Sequence, residues 1–126
     1  MADEKLVLVV DDEEDVLAYL TSLLNDNGIK TITASNGAEG FKLAQEKLPA
    51  LISLDITMDE ESGVRMFRNL QETKATAHIP VIIVTGVSSE FKQFIESRRQ
   101  VHPPEAYFEK PIDKDKYIAR VKEILG

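Results

Sequence analysis

The chain has 126 residues, 43% apolar and 29% charged, which suits one hydrophobic core of ordinary size and excludes both a second domain and a disordered polyelectrolyte. It contains no cysteine, so disulfide staples, thiolate metal sites and cysteine nucleophiles are excluded together, and a reducing compartment suits it. Its 15 Lys and Arg against 22 Asp and Glu give a net charge of −7, which argues against direct nucleic-acid binding. The longest apolar runs, such as Leu6–Val10 and Val16–Leu20, are too short to span a bilayer, and the opening MADEK has no secretory pattern. The expectation is an acidic cytoplasmic protein whose residues 1–126 form a single domain.

In chain order, Leu6–Val10 reads as a strand buried on both faces, because the run is continuously apolar and rich in Val. Val16, Leu20, Leu23 and Leu24 then make one helical face, closed by Gly28 as a C-terminal cap. Lys30–Ala34 alternates polar and apolar residues, as an edge strand with one wet face does. Asn36 and Glu39 suggest a capping box for a helix whose inner face is Phe41, Ala44 and Leu48. Leu51–Leu54 is a third strand, and Ser62 opens a helix with Val64, Phe67 and Leu70 inward. Val81–Val84 is a fourth strand, followed by a helix from Ser88 or Ser89 with Phe91 and Ile95 inward. The weaker run Ala106–Phe108 is the fifth strand. Asp113 caps a last helix with the stripe Tyr117, Ile118, Val121, Ile124 and Leu125. Five β-α units in succession predict an α/β fold with a doubly wound parallel sheet between two helical layers.

Ligands of such sheets bind beyond the carboxyl ends of the strands. Asp11 and Asp12 follow the first strand, Asp55 ends the third, Thr85 and Gly86 end the fourth, and Lys110–Pro111 follows the fifth. Three carboxylates in one crevice repel each other, and a hard divalent cation such as Mg²⁺ relieves the conflict. Lys110 adds a second positive charge. The Thr85 hydroxyl and the backbone N–H groups of Ile56, Thr57 and Gly86 suit phosphoryl oxygens. A carboxylate nucleophile beside a metal and a lysine can form an aspartyl phosphate. Each item alone has an ordinary reading: an acid pair before a helix commonly just caps it. The joint placement on four strand ends carries the functional reading. His78 and His102 stand alone and read as structural or surface residues, and the chain has no Gly-rich phosphate loop.

The segments LVLVVDDEEDV, LISLDITM, VIIVTG and YFEKPID, in that order and across the whole chain, resemble the receiver domain of the two-component response regulators. The resemblance implies a flavodoxin-like five-stranded sheet of order 2-1-3-4-5 with five helices. It also implies a phosphorelay role. Asp55 would accept a phosphoryl group from the phosphohistidine of a histidine kinase or histidine phosphotransfer protein. Asp12 would bind Mg²⁺ (or Mn²⁺) directly, Asp11 mainly through water, and the Thr57 carbonyl would complete the protein ligands. Lys110 would pair with Asp55 and then with the phosphate. Thr85 would be the switch hydroxyl and Tyr107 the switch aromatic, and the Lys110–Pro111 bond would be cis. Output would leave through the fourth helix, fifth strand and fifth helix, where Lys92, Arg98, Arg99, Lys116, Arg120 and Lys122 give basic groups on an acidic protein. The output protein is not readable, and a phosphorylation-dependent homodimer through this face is a further expectation.

The sequence departs from the family in two places. Asp59 stands where the family usually has proline, followed by Glu60 and Glu61, and the stretch from Thr85 to Lys110 is a few residues longer near Arg98–Pro104. Competing functions fare worse. A phosphohydrolase passing through an aspartyl phosphate would want an acid two residues past the nucleophile, where Thr57 stands. A flavodoxin would need a Ser- and Thr-rich loop where the acids 11–15 would repel its phosphate. An adaptor that is never phosphorylated would not need the complete set Asp11, Asp12, Asp55, Thr85 and Lys110. The expected role is a switch that catalyses only its own phosphoryl transfer and dephosphorylation, not an enzyme acting on other substrates.

Overall fold

Strands form where Val, Ile and Leu cluster, and helices where apolar residues recur every three or four positions. The computed structural model describes residues 5–55, 62–85, 106–109 and 112–126. Within them the elements are β1 (Leu6–Val10), α1 (Glu14–Asp26), β2 (Lys30–Ala34), α2 (Gly37–Lys47), β3 (Leu51–Asp55), α3 (Ser62–Glu72), β4 (Val81–Thr85), β5 (Ala106–Glu109) and α4 (Lys114–Leu125). The helix expected from Ser88 or Ser89 lies outside the described residues. No helix among the described residues is long and apolar enough to cross a membrane.

The strands pair in parallel in the order β2-β1-β3-β4-β5. β3 is buried along its whole length, whereas β2 at the edge is mostly exposed or half-buried. Alternation of side chains along each strand divides the core into two layers. On one face, Leu8, Val10, Ile52, Leu54, Val81 and Ile83 pack against Ala44 of α2 and Met66, Phe67 and Leu70 of α3. On the other, Val7, Val9, Leu51, Ile82 and Val84 pack against Leu20 and Leu24 of α1 and Tyr117, Ile118 and Val121 of α4.

Local chemistry fixes the helix ends. Asn36 accepts the Glu39 N–H at 2.8 Å, and Glu39 reaches back to the Ser35 N–H at 3.0 Å, a capping box displaced by one residue at its return bond. Asp113 accepts from the N–H groups of Asp115 and Lys116 at 3.1 and 3.2 Å and so caps α4. Gly28 follows α1 with φ of 77°, the left-handed conformation that glycine adopts without a Cβ penalty. One expected core position is corrected. Leu48 does not join the inner face of α2: it is the C-cap, left-handed at φ 45°, and 55% exposed. Pro49 follows it, and a residue before proline is disfavoured in the right-handed helical region, so the chain turns away before Leu48 can point inward.

Candidate functional site

The register brings the acids together. Val10 of β1 pairs with Leu54 of β3, so the next residue on each strand, Asp11 and Asp55, emerges at the same level. The ladder continues past β1, since the Asp11 N–H donates to the Ala34 carbonyl at 3.1 Å. Asp11 and Asp55 are buried, at 1% and 2% exposure, while Asp12 is exposed. A carboxylate oxygen from each of the three lies within 4.8 Å of those from the others. At that separation a pair of carboxylates repels by about 3.5 kcal/mol at an effective dielectric of 20, before other partners are counted. Three hard oxygen donors at one strand edge, two of them buried, are compatible with a divalent cation such as Mg²⁺.

The ordinary reading of the acid pair is also partly met. Asp11 Oδ1 accepts the Glu13 N–H at 2.9 Å, and Glu13 is the N-cap of α1, with no side-chain cap bond of its own. Asp11 therefore shapes the β1–α1 turn with one oxygen, in the manner of an Asx turn, while its carboxylate stands in the cluster. Asp12, Glu13, Glu14 and Asp15 are exposed.

Thr85 closes β4 opposite Glu109, and Tyr107 is the second residue of β5 opposite Ile83. Their backbones thus lie in the strands flanking the site, and their side chains are outside what the structure describes. Ile56, Thr57, Gly86, Lys110 and Pro111 lie outside the described residues, as do Asp59–Glu61 and His102. His78 is exposed, in keeping with a surface role.

One polar feature near the acids was not expected from sequence. Ser53 lies two residues before Asp55 and is 1% exposed. The Tyr117 hydroxyl donates to Ser53 Oγ at 2.7 Å from the first turn of α4. The Tyr117 ring also meets Phe108 of β5 edge-on, with centroids 5.5 Å apart and planes at 73°. Burial pushes the Tyr117 hydroxyl up to about 12, with the Ser53 bond pulling the other way. The sequence signal was available: LISLD is an apolar strand with one serine, and a hydroxyl in such a strand needs a partner.

Comparison with known proteins accords with this geometry. The family model for the response regulator receiver domain matches residues 7–122. The polar-differentiation response regulator DivK of Brucella anthropi is 35% identical over 122 residues, 97% of each chain. Its namesake in Brucella ovis is 34% identical over the same lengths. Among solved structures, the receiver domain of the Francisella response regulator 1452 superposes with a TM-score of 0.81 at 27% identity, over 96% of each chain. A CheY-like receiver domain protein from Methanospirillum hungatei JF-1 shares the fold, with a TM-score of 0.84 over 98% of this chain and 94% of that one, at 23% identity.

Proposed function

The chain belongs to the response regulator receiver family, and on that premise we propose that it is a phosphorylation-controlled switch of a phosphorelay, with Asp55 as phosphoacceptor. The observation that carries the reading is the convergence of Asp11, Asp12 and Asp55 within 4.8 Å at the carboxyl edge of the sheet. The donor is the phosphohistidine of a histidine kinase or histidine phosphotransfer protein. An Asp55 carboxylate oxygen attacks phosphorus, the new O–P bond forms as the P–N bond breaks, and the departing imidazole keeps the electron pair and takes a proton from water.

Asp11, Asp12 and Asp55, with the Thr57 carbonyl, would hold Mg²⁺ or Mn²⁺. When bound, the cation supplies positive charge beside the transferring phosphoryl oxygens. The protein's own part is positioning. β3 fixes Asp55 at the end of a fully buried strand, which holds its carboxylate with little reorganisation. Asp11 is anchored through the Glu13 N–H. Lys110 and the N–H groups of Ile56, Thr57 and Gly86 are the donors to the phosphoryl oxygens. Thr85 and Tyr107 carry the change to the surface that includes β5 and α4, where an output protein or a second copy binds. The chain catalyses only its own transfer and dephosphorylation, and it works in the cytoplasm.

Incubation with acetyl phosphate and Mg²⁺, read by intact mass, tests the reading. The wild type gains one phosphoryl mass; EDTA or Asp55→Asn abolishes the gain. Labelling of Asp55→Asn at the wild-type rate refutes the assignment.

A further inference from the structure

Strand alternation puts Val7, Val9 and Asp11 of β1 on the same face as Leu51, Ser53 and Asp55 of β3. Val9 is the register partner of Ser53. The Ser53 hydroxyl thus lies one step beneath the acids, about 6.6 Å along the strand from Asp55. Tyr117 meets that step from α4. Its ring touches Phe108 on β5 and its hydroxyl reaches Ser53 on β3, so one side chain contacts the strands on both sides of β4. β3 ends in Asp55, and β5 leads into Lys110. We propose that the Ser53–Tyr117 hydroxyl pair is a positioning bridge that couples loading of Asp55 to the seating of α4.

This inference rests on the phosphoacceptor reading and adds to it a route through β3 and the first turn of α4. The physical ground is directionality. Two apolar side chains of the same shape would fill this layer without any desolvation cost, and they slide past each other cheaply. A 2.7 Å bond between hydroxyls that are both almost fully buried fixes distance and angle. A small movement of the end of β3, when a dianion is placed on Asp55, is therefore passed to Tyr117 or breaks the bond.

The test uses the full chain labelled with ¹⁵N, with Mg²⁺ and beryllofluoride as the acyl-phosphate mimic. Wild type, Ser53→Ala, Tyr117→Phe and the double variant are compared by amide chemical shifts. In the wild type, shifts at 11–13 and 54–55 report loading, and shifts at 114–118 report the response of α4. The double variant replaces the pair by apolar groups and should fold with near-native stability. It should keep the shifts at 11–13 and 54–55, while those at 114–118 fall at least about twofold. Tyr117→Phe, which removes one oxygen and leaves the ring, provides the same readout if the double variant folds poorly. Undiminished shifts at 114–118 in these variants overturn the bridge, as do wild-type shifts confined to the acids. No shift at 11–13 or 54–55 in the wild type refutes the phosphoacceptor reading and the bridge together.

Discussion

Ionisation of Tyr117 gives a test of the buried hydroxyl pair that needs no phosphoryl chemistry. Burial pushes its hydroxyl up to about 12 from the ordinary value of 10. The proton is therefore held more tightly in the folded state, and this contribution to stability is complete below pH 10. It is lost as the pH rises from 10 to 12, because the unfolded chain ionises first. Tyr117 has no exposed surface, so solvent screening does not reduce the effect. Linkage gives a loss of about 1 kcal/mol at pH 11 and about 2 kcal/mol at pH 12. Tyr117→Phe cannot show this loss. At pH 8 the variant should be less stable than wild type by about 1–3 kcal/mol, the cost of stripping a buried hydroxyl of its partner. By pH 11 that gap should shrink by about 1 kcal/mol. Urea unfolding followed by far-ultraviolet circular dichroism at pH 8, 10 and 11 measures it, and lysine titration is common to both proteins. A gap that stays constant from pH 8 to 11 would refute the burial argument.

Two further predictions concern stability alone. A Cβ at Gly40 would stand 2.8 Å from Met66 Sδ and 3.0 Å from both Met66 Cε and Val10 Cγ2. Gly40→Ala should destabilise by about 1 kcal/mol, an overpacking cost of about 1–3 kcal/mol partly offset by the better helix propensity of alanine. A lowered urea midpoint at unchanged slope checks it. Asp113→Ala removes an acceptor shared by two N–H groups and should cost about 1 kcal/mol, with Asp113→Ser recovering most of it in the same assay.

Much of the fold was legible because each element carried more than one signal. The run Leu6–Val10 is apolar throughout and, from Val7 onward, buried as expected. Asn36 with Glu39, and Asp113 before its stripe, marked two helix starts that the hydrogen bonds confirm. Leu48 was misplaced because helical period alone assigned it inward, while the proline after it decided the backbone. The acids were legible because ligand sites in parallel sheets lie at strand ends, and the structure brings Asp11, Asp12 and Asp55 into one cluster. The need of Ser53 for a partner was legible, but the identity of that partner, Tyr117, was not. Tyr117 fitted an apolar stripe and Ser53 an apolar strand, and a bond across 64 residues leaves no periodic trace in either.

The two core layers are not equivalent with respect to the acids. Asp11 and Asp55 continue the alternation of Val7–Val9 and Leu51–Ser53, so they cap the layer between the sheet, α1 and α4. The opposite layer, between the sheet, α2 and α3, ends one residue earlier on each strand, at Val10 and Leu54. A change in the first layer alters what the carboxylates rest on. A change in the second reaches them only through the backbone of β1 or β3. Gly40 and Met66 belong to the second layer, and Ser53 and Tyr117 to the first. Gly40→Ala should therefore lower stability while leaving the response of α4 to beryllofluoride as in wild type. The Ser53→Ala and Tyr117→Phe double variant should do the reverse. That opposition separates a switch built into one face of the sheet from a general loosening of the domain.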